Sequence, residues 1–122
     1  VSGVEYAKVT KMRSEFSEKL HQMLDNIDCV VCPSMSNPAR NKSENPYNMS
    51  GEEWKRLNRK DVFSKPFNFS GVPTLSVPCG FSKDGIPLSV QFVGSKLDEA
   101  IICKAGYAYE QSTNWHTKHP RI

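Results

Sequence analysis

No apolar run in this 122-residue chain approaches the roughly 20 residues needed to cross a bilayer. That excludes a membrane-spanning helix, and no membrane partner is expected. The first residues carry no signal-peptide pattern. Cysteines number only 4, too few and too scattered for a disulfide framework. They stand in apolar surroundings (Cys29 and Cys32 around two valines, Cys79 after Pro78, Cys103 after Ile102), where a reduced thiol acts as a small hydrophobe. A cytoplasmic location is the expectation. Apolar residues are also scarce: 38% of the chain, with a mean hydropathy of −0.53. A self-contained α/β domain usually carries more. A core shared with further sequence is therefore expected, and a start at Val1 without methionine fits an excised piece. Internal repeats are absent, and the length suits one domain.

A dense basic stripe is missing too. Net charge is +3, and the cations are interleaved with acids, as where Lys55, Arg56, Arg59 and Lys60 neighbour Glu52, Glu53 and Asp61. Nucleic-acid binding calls for cations clustered on one face with exposed aromatics. The pattern reads instead as a solvated helix face, and no nucleic-acid partner is expected.

What is present is an ordered set of short elements. Val4, Ala7, Met12, Phe16, Leu20, Met23, Leu24 and Ile27 recur close to helical period and predict an amphipathic helix over Val4–Asn26. Ser2 or Gly3 is its expected N-cap, and Asn26 suits its end. Asp28–Cys32 is a short apolar run stopped by Pro33, which predicts a strand buried on both faces. Ser34–Ser50, rich in Ser, Asn and Pro, predicts a long surface loop. Ser50 and Glu53 have the spacing of a capping box, so a helix is expected from there through Trp54, Leu57 and Arg59 to about Val62.

Phe63–Gly71 is an aromatic-rich connection with an expected helical turn. Thr74–Val77 predicts a strand closed by Pro78, and Lys83–Gly85 a turn in which Gly85 takes positive φ. Leu88–Gly94 predicts the second strand of a hairpin. Asp98–Gln111 predicts the last helix, with Asp98 and Glu99 favourably placed at its positive end. The order is helix, strand, helix, β-hairpin, helix: α/β.

Five short motifs recur in this order: Phe67-Asn68; Gly71-Val72-Pro73; Pro78-Cys79-Gly80-Phe81; Asp84-Gly85-Ile86-Pro87; and Gln91-Phe92-Val93-Gly94. With Asp28–Pro33 before them and Asp98, Glu99, Glu110, Trp115, His116 and Pro120 after, the set resembles the amidase-signature family of hydrolases. The likeness covers nearly the whole chain apart from Ser34–Ser50. One departure is Ser89, where many relatives have glycine, and serine suits a strand at least as well. The resemblance implies that residues 1–122 are the C-terminal fragment of a single amidase-signature domain, with a mixed β-sheet core covered by helices. It implies a protein that hydrolyses C–N bonds in small-molecule amides, without cofactor or metal, through a Ser–Ser–Lys arrangement. The family's nucleophile loop and lysine lie N-terminal to this part, so no catalytic residue is assigned here and the rest of the amidase chain is the implied partner. The Tyr109–Gln111 and Trp115-His116 tail is also similar to amidase subunits of tRNA-dependent amidotransferases. A non-catalytic module that kept the fold is a third possibility.

Amide hydrolysis needs an activated nucleophile, a proton carrier and oxyanion donors. The serines of this chain stand singly, none beside a lysine in a recognisable pattern. Cys29 and Cys32 form a C-x-x-C, but residues three apart on a strand face opposite ways and cannot share a metal. His116 and His119 have no third ligand near them in the sequence. His116 is expected to pack, and His21 to be exposed. Of three N-x-S sequons, Asn41, Asn48 and Asn68, the last falls in the core motif, where a glycan is not expected to fit. The resemblance places Phe63–Phe69 near the acyl side of a substrate pocket. Lys65 and Phe69 are candidate pocket residues, Asn68 is expected to pin the backbone through its amide, and Phe67 is expected in the core.

Overall fold

The chain's computed structural model describes residues 1–39, 50–53 and 63–119. Helix α1 spans Gly3–Leu24, and the reason for its start is local. Ser2 Oγ accepts from the Glu5 backbone at 3.2 Å, while Glu5 Oε2 accepts from the Ser2 backbone at 2.7 Å and its hydroxyl at 2.9 Å. This reciprocal box satisfies donors that a helix start otherwise leaves open. Those bonds, the backbone one first and the hydroxyl second, hold the Glu5 carboxyl below its ordinary range. Because the folded value is the lower one, the box stabilises the helix above the unfolded carboxylate pKa. That contribution is lost as pH falls through the folded value. Ser2→Ala is expected to move the Glu5 titration part of the way back up, read by NMR, since the backbone donor remains.

Strand β1 spans Val30–Pro33, helix α2 Lys65–Ser70, β2 Thr74–Phe81, β3 Pro87–Val93 and α3 Glu99–Ser112. A 3-10 turn, Trp115–Thr117, follows. Ser50 and Glu53 form the expected capping box, with Glu53 Oε2 accepting from the Ser50 hydroxyl at 2.9 Å. The remainder of the helix expected from there, with Trp54, Leu57, Arg59 and Val62, lies outside the described residues. So do residues 40–49 of the expected loop.

The strands form an antiparallel sheet in the order β1-β3-β2. Its register sorts the side chains into two faces. Val30, Val93 and Thr74 align across the sheet, as do Cys32, Gln91 and Ser76; these share one face. Val31, Phe92 and Leu75 share the other, with Val90 and Val77. Leu20 and Leu24 of α1, with Phe67 of α2 and Val72, pack on the first face against Val30, Cys32 and Val93. Ile102, Ala105 and Tyr109 of α3 pack on the second against Val77, Val90 and Phe92. The result is three layers: helices α1 and α2, the sheet, then α3.

Three expectations need correction. Among the described residues strand β1 is covered on one face only: Val31 is 53% exposed, because α3 lies over β2 and β3 and β1 is an edge. Strand β2 does not stop at Pro78 but runs on to Phe81 through a bulge between Pro78 and Gly80. An edge strand tolerates the missing N–H of proline, and the bulge absorbs the extra residue. Most of the apolar stripe on α1 is not buried either. Val4, Met12, Phe16 and Met23 are exposed, as is Ile27 just beyond the helix, and among the described residues only Leu20 and Leu24 of the stripe reach the core. The hairpin turn is as expected, with Gly85 at φ 76°. No helix among the described residues is long and apolar enough to cross a membrane.

Candidate functional site

Helix α2 is six residues long, too short to hold itself together in water. Neighbouring elements clamp it from both ends. At its C-terminal end, Arg13 Nε donates to the Phe69 carbonyl at 2.7 Å, and Ser17 Oγ to the Ser70 carbonyl at 3.2 Å. A cation at this end also complements the helix dipole. Gly71 then closes the helix in the left-handed region at φ 78°, its N–H donating to Phe67 O at 2.9 Å. Just before the helix, Gln91 Nε2 donates to the Phe63 carbonyl at 3.2 Å and to the Pro33 carbonyl at 3.1 Å.

Lys65, Asn68 and Phe69 fall at i, i+3 and i+4 of this clamped helix, and all three are exposed on one side of it. Phe67 turns the other way, into the core. The structure thus gathers the three residues singled out in the sequence onto one face and separates them from Phe67. The Phe69 ring remains 39% exposed while leaning on Phe16 of α1, with centroids 5.8 Å apart. Asn68 does not pin the backbone as expected: no hydrogen bond from its side chain is found among the described residues, and Arg13, Ser17 and Gln91 do that work instead. Its exposure also removes the steric objection to the sequon at this position. Asn41 and Asn48 lie outside the described residues. Two surface grooves exclude the three residues. One of about 570 Å³ runs between residues 35–39 and the bulged end of the hairpin at Cys79 and Pro87–Ser89. The other, about 430 Å³, lies beside Leu24–Asp28 and Asp98.

Gln91 carried no weight in the sequence beyond its place in a motif. Its signal was there: a polar residue between Val90 and Phe92, in an apolar run, buried to 3% exposure in the central strand. A buried side-chain amide needs partners.

Catalytic machinery does not assemble among the described residues. Ser34 Oγ and Ser76 Oγ lie 3.1 Å apart, but neither hydroxyl bonds a base. A serine nucleophile requires one. Cys29 and Cys32 join different clusters on opposite faces of the sheet, as strand geometry requires. Burial, and secondarily the Asp28 charge, raise the Cys29 thiol pKa, which disfavours the reactive thiolate. Cys103, expected in apolar surroundings, is exposed on the outer side of α3. His21 is half-buried on α1 rather than exposed, because it lies next to Leu20, whose face meets the sheet. His116 does not pack: it is exposed, and Trp115 makes the contact with Phe81 at 6.1 Å between ring centroids. No group of three His, Cys, Asp or Glu side chains among the described residues could hold a metal ion.

Comparison with known proteins gives consistent matches. The sequence profile of the family described as Amidase matches residues 2–103. The A subunit of glutamyl-tRNA(Gln) amidotransferase of Methanosarcina barkeri is 38% identical over 118 residues, covering 94% of this chain and 23% of that protein. The protein of the same name from Oceanobacillus iheyensis is 33% identical over 120 residues, covering 96% of this chain and again 23% of the relative. The chain thus spans about a quarter of the curated relatives it matches. Among solved structures, the A subunit of glutamyl-tRNA(Gln) amidotransferase from Thermotoga maritima superposes with a TM-score of 0.75 at 26% identity, over 89% of this chain and 23% of that one. A 6-aminohexanoate cyclic dimer hydrolase superposes at 0.76 over 99% of this chain and 27% of that one; at 22% identity it shows likeness of fold.

Proposed function

The chain belongs to the amidase family, and from that premise we propose that residues 1–122 form the C-terminal part of one amidase-signature domain in a protein that hydrolyses C–N bonds of small-molecule amides. The observation that carries this reading is the family match over residues 2–103, in a chain spanning 23% of its relatives. The chain's part is structural: three strands of the shared sheet and one wall of the substrate pocket. Nucleophile and lysine come from the remainder of the domain, which is its partner, in a cytoplasmic protein with no nucleic-acid or membrane partner. That remainder gives a physical reason for the exposed apolar side of α1 and the open edge of β1, both of which would be covered in the whole domain.

In this reading Lys65, Asn68 and Phe69 touch substrate. Phe69 supplies apolar area; Lys65 and Asn68 supply the few polar groups that orient an acyl group. Burying a phenylalanine side chain is worth about 1.5–3 kcal/mol. Phe69→Ala in the whole protein is therefore expected to raise KM for an acyl p-nitroanilide about tenfold, with kcat little changed. Unaltered kinetics in Phe69→Ala, Lys65→Met and Asn68→Ala alike would remove this face from the pocket.

A second reading is favoured by the 38% identity to a protein named as part of an amidotransferase. There the whole protein would release ammonia from an amide donor for a partner protein. Stimulation of glutaminase activity by such a partner separates this from simple hydrolysis.

A further inference from the structure

We propose that Gln91 is a positioning residue, whose side-chain amide staples the two ends of the 34–62 excursion and thereby sets the orientation of α2. A glutamine amide has two N–H donors. Here both are used on main-chain carbonyls at opposite ends of one stretch: Pro33, the last residue of β1, and Phe63, just before α2. Between them the chain runs through residues 34–62. Closing so long a stretch opposes folding entropically, so contacts at its base matter more than their number suggests.

The placement of the donor favours this role. Strand β3 is the central strand, paired on both sides, so the Gln91 backbone is fixed. Its side chain shares a face with Cys32 and Ser76, beneath the layer formed by α1 and α2. At the start of α2, Ser64 occupies the N-cap position without a side-chain capping bond, although Pro66 in the first turn presets a helical φ. Arg13, Ser17 and Gly71 hold the other end. Gln91 adds a long-range restraint just before the start, and through it orients the face bearing Lys65, Asn68 and Phe69. The consequence for substrate rests on the pocket reading above; the staple itself does not.

Two variants of the chain test it. Gln91→Met keeps length and apolar stem but removes both donors. Amide exchange at Asn68 and Gly71, whose N–H groups close α2, is expected to speed about tenfold or more. Amides of the β2–β3 ladder should change far less. Gln91→Glu places a carboxyl against two carbonyl oxygens; its ionised form can donate to neither, and its protonated form to one through its single O–H. Its titration is expected about one unit or more above the ordinary value of about 4.3. Relative to the unsubstituted chain at the same pH, α2 protection should then return in part as pH falls through that titration. Burial alone would also raise this carboxyl, so the discriminating result is recovery of α2 protection with its protonation, which a merely space-filling role would not produce. Unchanged exchange at Asn68 and Gly71 in the Met variant would overturn the proposal. So would joint loss of protection in α2 and the ladder, since the amide would then be holding the sheet. An ordinary titration of the introduced carboxyl would overturn it as well. These results leave the amidase reading untouched, which keeps the two failures distinct.

Discussion

Phe92→Ala is expected to remove about 3–5 kcal/mol of stability, the usual cost of emptying a phenylalanine site in a packed core. Phe92 is 7% exposed and sits at the centre of the face under α3, between Val77 and Ile102. Its ring meets that of Tyr109 with centroids 6.1 Å apart, tilted by 60°. Truncation forfeits that aromatic pair as well as the buried area. The core offers little in reserve: the buried apolar residues among those described are Leu20, Leu24, Val72, Val77, Phe92, Val93 and Ile102. Folded proteins are stable by only about 5–15 kcal/mol, so this one change is large on that scale. In urea the midpoint should fall by more than about 1 M, given slopes of about 1–3 kcal/mol per M. Phe92→Leu, which keeps most of the apolar volume, should cost clearly less. A loss under about 1 kcal/mol for the alanine variant would mean that α3 does not rest on this face.

Much of the fold was legible because local signals agreed. The helical period over the first 27 residues located α1, and the Ser2–Glu5 box that starts it has the same spacing as the Ser50–Glu53 box read from the sequence. The hairpin followed from the turn at Lys83–Gly85 between two β-rich runs. What could not be read was which apolar surface is covered within these residues. An apolar run records that burial occurs, not which element provides it. The pattern therefore predicts burial for Val31 and for Val4, Met12 and Met23 of α1, which all stay more than half exposed among the described residues. Pro78 misled for a different reason: its effect depends on whether the strand is central or at an edge, and that is a property of the assembled sheet.

The candidate site shows the same division. The resemblance singled out Lys65, Asn68 and Phe69, and the structure exposes all three on one helical face. The clamps that hold the helix come from residues far before it in the chain, Arg13 and Ser17, and from Gln91 downstream. Only Gln91 left a trace in the sequence, as a polar residue in an apolar strand.

In the proposed function this chain contributes shape and a pocket wall while the chemistry comes from elsewhere in the protein. The expected effect is all or none. Removing a serine nucleophile or its base leaves little of an enzyme's rate enhancement, and the described residues pair neither Ser34 nor Ser76 with a base. The direct test is hydrolysis of an acyl p-nitroanilide by residues 1–122 alone and by the whole protein containing them. No turnover above background is expected for the chain alone. In the whole protein, turnover is expected to depend on a serine outside residues 1–122. Hydrolysis by the isolated chain that disappears in Ser34→Ala or Ser76→Ala would place the nucleophile here instead.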